Sequence, residues 1–149
     1  MEAFESFVAL ALEAEQLVVS EAVKFPVARQ VAKAARVEIQ THGYEVDLVG
    51  ARADRLILAT VKSFFGSRGV AAEHVTGQTT NKVARWHYRL LNELDLRDAV
   101  IEGAAQRFGY EPSQVHLRLY VGNLPGRSRD FTRSAFATGV PTRSPAADL

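Results

Sequence analysis

Leu56-Ile57-Leu58-Ala59 is apolar at four consecutive positions, so a strand through it is apolar on both faces. Side chains alternate across a strand, and one that must hide both faces belongs in the middle of a covered sheet. The chain therefore has to supply neighbouring strands, and helices to lay over them. Its 149 residues suit one domain, which at this size buries roughly 70% of the surface of the unfolded chain.

Arg55 to Lys62 is the strand that holds this run. Ahead of it, Val27 to Ala35 fits helix by propensity and strand by the alternation of Val27, Arg29, Val31 and Lys33. The clear alternation of Ala35-Arg36-Val37-Glu38-Ile39-Gln40 favours a strand from about Arg29 to Gln40, and that of Tyr44-Glu45-Val46-Asp47-Leu48-Val49 predicts another over 44–49. Thr41-His42-Gly43 reads as the turn between them, and Gly50 to Asp54 as the loop before the third strand. Val115, Leu117, Leu119 and Val121 alternate with His116, Arg118 and Tyr120 as a fourth. Phe4, Phe7, Val8, Ala11, Leu12, Val18 and Val19 are spaced by threes and fours, which predicts a helix over 3–22 that Pro26 bars from continuing. Thr79 or Thr80 caps a helix running to about Leu94, with Val83, Trp86, Leu90 and Leu91 inward. Asp95 caps the next, with Leu96, Val100, Ala104 and Phe108 as its stripe and Gly109 as its stop. The order is α-β-β-β-α-α-β: an α/β (α+β) domain with a mixed central sheet and flanking helices, over residues 1–122. Residues 123–149 include Pro125, Pro141 and Pro145 and read as a loosely structured tail, with a short helix at 130–136 as its only candidate element.

An apolar fraction of 47% beside a charged fraction of 23% excludes a disordered, collagen-like or coiled-coil chain. No run nears the ~18 apolar residues that a membrane helix needs. The opening Met1-Glu2-Ala3-Phe4-Glu5 lacks a basic segment, and there is no cysteine, so the expectation is a cytoplasmic protein without disulfides or thiolate metal sites. His42, His74, His87 and His116 have no metal-ligand spacing. The net charge is only +1, but residues 1–22 hold five glutamates and no cation. Lys24, Arg29, Lys33 and Arg36 follow with no acid among residues 23–36. That is either a self-complementary surface or a basic patch that meets phosphate.

The expected hairpin places Val37 against Leu48 and Ile39 against Val46, which sets Glu38 opposite Asp47 and Gln40 opposite Glu45. On the next strand Leu56, Leu58, Thr60 and Lys62 share a face. If that face adjoins Asp47, a carboxylate, a hydroxyl and an ammonium converge at the sheet end.

Tyr44 to Val49, a short loop, then Leu56-Ile57-Leu58-Ala59-Thr60-Val61-Lys62-Ser63 resembles the core motif of the PD-(D/E)XK nuclease superfamily. Its pattern is an acid on one strand, then acid-any-Lys on the next, often joined by a glutamate from the preceding helix. The resemblance covers residues 1 to about 122 and implies a restriction-endonuclease-like fold and metal-dependent hydrolysis of DNA phosphodiesters. It implies that Asp47 binds Mg or Mn, that Lys62 activates water and steadies charge on the phosphate, and that Glu15 is the helix glutamate. Thr60 stands where the family has Asp or Glu, and a threonine supplies no anionic ligand. Either Glu38 provides the missing carboxylate as a metal ligand, or the site is degenerate.

A nucleic-acid surface has separate support. Ser63-Phe64-Phe65-Gly66-Ser67-Arg68-Gly69 mixes aromatics, glycines and an arginine, as a loop over a phosphate backbone does. Lys82, Arg85 and Arg89 share a helix face, and Arg52 and Arg55 flank the loop beside Asp47. The expected partner is DNA. The alternatives are a non-catalytic nucleic-acid- or protein-binding domain of the same fold, and a homo-oligomer in which an exposed last strand pairs with a second copy.

Overall fold

The computed structural model describes residues 2–34, 36–65 and 68–124. Helix α1 (Ala3–Ala14) leads into β1 (Val18–Lys33), β2 (Arg36–Arg52) and β3 (Arg55–Lys62). Three short helices follow, α2 (Ala72–Thr76), α3 (Lys82–Trp86) and α4 (Arg89–Asn92), then α5 (Leu94–Phe108), a 3₁₀ turn and β4 (Val115–Val121). The four strands lie in the order β1-β2-β3-β4. The first two pairings are antiparallel and the last, β3 with β4, is parallel. The architecture is thus mixed α and β around one mixed sheet.

β3 is central, as its apolar run requires. Leu56 and Leu58 join the core under α4 and α5, with Val100, Leu117 and Leu119. Ile57, Ala59 and Val61 join a second core on the opposite face, against Phe4, Val8 and Leu12 of α1. β4 is an edge strand, yet both its faces are covered. α5 keeps most of its expected stripe: Leu96, Val100 and Ala104 are buried and Gly109 closes the helix at φ 79°, but Phe108 is exposed and the N-cap is Glu93, which puts Asp95 inside the first turn.

The N-terminal half departs from expectation. The helix over 3–22 stops at Ala14, with Glu15 as its C-cap and Gln16 in the left-handed region at φ 64°. Val18 begins a strand that runs through Pro26 to Lys33. Proline is tolerated there because β1 is a sheet edge, where a missing N–H leaves no partner strand short. Thr41-His42-Gly43 is no turn but the middle of β2, paired with Ala28, Val27 and Pro26. The chain reverses instead beside Ala34, at φ 48°. Val37 therefore faces Ala32, Ile39 faces Gln30 and Glu38 faces Val31.

β2 pairs with β3 only from Leu48 to Arg52. The rest of the β1–β2 hairpin extends beyond β3 as a two-stranded arm. Its base packs through Phe25, Val27, Tyr44 and Val46 on the α5 side. The expected helix from Thr79 is divided: Asn81 caps α3 by accepting from the Val83 and Ala84 N–H groups. Leu90 and Leu91 are buried as expected, whereas Val83 and Trp86 are 68% and 58% exposed. Gly122 N–H still bonds the Lys62 carbonyl, the Val70 N–H bonds that of Asn123, and Leu124 packs on the core. The rest of the expected tail, 125–149, lies outside the described residues.

Candidate functional site

The site forms where β2 leaves β3. The ladder ends at Leu48↔Ala59. Past it the Val61 N–H donates to Asp47 Oδ2 at 2.7 Å, so a side chain takes over from the partner strand. The pleat also breaks here. Leu48 packs toward α1, whereas Val46 packs toward α5, although strict alternation would put them on one face. Ala22, skipped between Glu21↔Leu48 and Val23↔Val46, takes φ 48° and absorbs the same change in β1. Asp47 is thus held at a crossover between the two faces.

Burial pushes the Asp47 carboxyl above the usual carboxylate range, against the pull of the Val61 hydrogen bond and the Lys62 ammonium. Glu5 and Glu45 push it further up. Lys62 lies on the adjacent strand, on the same side as Leu56, Leu58 and Thr60, as expected from the period of two. Thr60 is level with Asp47 by one further step of register and is only 7% exposed. Lys62 is thus near enough for its charge to act on Asp47, and Thr60 is buried at the adjoining register position.

Glu15 is not brought to them. It sits at the far end of α1, about 18 Å along a 12-residue helix. There both its carboxylate oxygens accept from Arg118 Nη1, at 2.8 and 3.0 Å, and Arg55 Nη2 lies 3.9 Å away. Arg118 also donates to the Tyr120 hydroxyl, which makes this a mostly buried structural pair. Glu38 is exposed in the arm and sits nine residues from Asp47, about 30 Å along β2. The helix acid that Asp47 does feel is Glu5, which also accepts from the Glu2 N–H at 3.2 Å. Sequence does not single out Glu5, because a helix expected to extend to residue 22 has the wrong ends; only the topology tells which end meets the break in the ladder.

Among the basic candidates, Arg52 is paired with Asp54 at 2.6 and 2.9 Å and donates to the Glu15 carbonyl. That pairing holds the Asp54 carboxyl down at about 2. Arg55 belongs to the Glu15 cluster. Ser63 follows Lys62 and is half-buried, while Arg68, Lys82 and Arg85 are exposed. Phe65 packs edge-on against Phe4, with ring centroids 5.2 Å apart, and ties the loop after β3 to the start of α1. Among the described residues no group of three or more His, Cys, Asp or Glu is placed to hold a metal, and no helix is long and apolar enough to cross a membrane. No protein-family model matches the chain, and no curated protein is significantly similar to it.

Proposed function

We propose that the chain binds nucleic acid on a restriction-endonuclease-like architecture, with a degenerate phosphodiesterase centre at Asp47 and Lys62. The observation that carries this reading is the break in the β2–β3 ladder, where Asp47 accepts from Val61 N–H beside Lys62. The topology supports it: a helix, three antiparallel strands, a helical crossover and a parallel fourth strand. Lys62 offers a phosphodiester an ammonium at a sheet end, and Arg68 lies exposed in the loop that follows.

The donor set does not fit a resident Mg²⁺ or Mn²⁺ centre. Such ions favour several hard, anionic oxygens and retain water. Here one Asp47 oxygen is engaged by Val61, the neighbouring position holds a neutral, buried Thr60, and Glu15 and Glu38 are elsewhere. The chemistry left to the chain is to grip a phosphate without hydrolysing it.

Anisotropy titrations with labelled DNA, in EDTA and in Mn²⁺, test this. Expected are binding that does not depend on the metal, no cleavage, and about tenfold weaker binding by Lys62→Ala, the scale of one lost charge-assisted contact. Robust Mg²⁺-dependent cleavage that Asp47→Asn abolishes would identify an active nuclease and overturn the degenerate reading. Absence of binding to any DNA would overturn the reading altogether.

A further inference from the structure

On the α5 side of the sheet, Val27, Arg29, His42, Gly43 and Tyr44 from the base of the arm face Trp86, Arg89 and Leu96 across a cavity of about 290 Å³. Two guanidiniums meet there. Arg29 Nη2 lies 2.7 Å from Glu93 Oε2, and Arg89 Nε lies 3.8 Å from Glu93 Oε1. One carboxylate thus serves two cations and leaves the cluster one positive charge in excess. Arg89 Nε is buried and makes no hydrogen bond. Its guanidinium lies 4.0 Å from the centroid of the Trp86 ring and 5.7 Å from that of Tyr44. Trp86 nonetheless remains 58% exposed, a large aromatic surface left to solvent at a cationic cavity.

We propose that this cavity binds a single unstacked nucleotide, with the base stacked on Trp86 and the phosphate held by Arg29 and Arg89. An indole face stacks on any nucleobase, and a guanidinium fork matches phosphate oxygens. Val27 and Leu96 supply an apolar floor. The volume lies at the small end for ligand sites, so it admits one nucleotide and excludes a duplex, whose bases are stacked inside. The inference deepens the reading of the Asp47 centre and rests on it. Tyr44 joins the two places: Asp47 helps raise its hydroxyl pKa, after burial, while Arg89 opposes. A nucleotide in the cavity can therefore belong to a strand whose backbone continues to Lys62, or it can be free.

Trp86 is the only tryptophan in the chain, so its emission reports this cavity alone. Full-length protein is titrated with thymidine monophosphate, a short single-stranded oligothymidylate, thymidine, and the same oligomer in duplex form. Saturable quenching is expected from the first two, and about tenfold weaker response from thymidine, which lacks the phosphate. The duplex should leave emission unchanged. An oligomer that binds more tightly than the monophosphate assigns the site to a strand; equal affinity assigns it to a free nucleotide. Arg29→Gln should weaken binding about tenfold, whereas Arg36→Gln, the same charge change about 13 Å along the arm, should not. No saturable quenching by either phosphate-bearing ligand, equal affinity for thymidine, or equal loss in both variants overturns the proposal. Duplex binding that depends on Lys62 without any Trp86 response overturns the cavity and leaves the Asp47 centre standing. Trp86 quenching in a protein whose DNA binding ignores Lys62→Ala does the reverse.

Discussion

Asp47 and Glu15 are both carboxylates near the sheet, and their surroundings give them opposite work. Asp47 has a raised pKa because burial disfavours its charge. The folded state therefore holds its proton more firmly than the unfolded chain. Its stabilising contribution is present at low pH and is lost as pH rises from the unfolded value through the folded one. Asp54 works the other way: its contribution is present above the ordinary carboxylate range and is lost as pH falls toward about 2. Asp47→Asn retains an acceptor for Val61 N–H and removes the buried charge. The variant should melt no lower than wild type at neutral pH and should lose the decline in melting temperature just above the ordinary carboxylate range. Thermal scans across acidic to neutral pH check both. Glu15→Gln instead leaves Arg118 mostly buried without its counter-charge and should cost about 3 kcal/mol in urea unfolding. Thr60→Glu should strengthen Mn²⁺ binding in a calorimetric titration, at some cost in stability because the position is buried.

Among the elements, β3 and β4 were legible because their residues leave no other arrangement. Four apolar residues in a row in β3 demand a covered sheet, and alternation in β4 marks a strand with one apolar face, although the burial of Arg118 and Tyr120 on its other face is not written in that pattern. α5 was legible from its stripe and from Gly109. The arm was not. Its alternation mixes alanines with charged residues, so residues 27–35 fit helix as well as strand, and the second strand reads as two pieces. Thr41-His42-Gly43 has turn chemistry, but Gly43 lies in strand opposite Pro26, and the reversal fell beside Ala34. That shift of turn moved Glu38 away from Asp47. The site was half legible: Asp47 and Lys62 follow from strand phase, whereas Glu5 follows only from which way α1 lies across the sheet. Energetics should separate the elements equally clearly. Leu58→Ala, in a fully buried central strand, should cost about 3 kcal/mol, and Val37→Ala, exposed on the arm, within about 0.5 kcal/mol. Chemical denaturation of the two variants measures the difference.

Across the whole molecule, support for the sheet is uneven. β3 and β4 lie between two cores, while from Gln30↔Ile39 to the tip no described arm residue is buried. A two-stranded ribbon without a buried face is marginal in water. Its hydrogen bonds therefore open by local fluctuation, without unfolding the domain. Native-state amide exchange should find arm amides such as Ile39 exchanging at rates that mild urea leaves unchanged. Those of Leu58 and Leu119 should exchange only through global unfolding and accelerate steeply with urea. A common urea dependence would instead make the arm part of the cooperative unit. Arg29 lies just inside this boundary, whereas Arg89 and Leu96 stand on helices anchored in the main core. The aromatic–arginine cavity thus sits at the seam between two clocks: the ribbon beyond Arg29 is renewed with each local opening, while Val27 and Leu96 in the cavity floor move only when the domain unfolds.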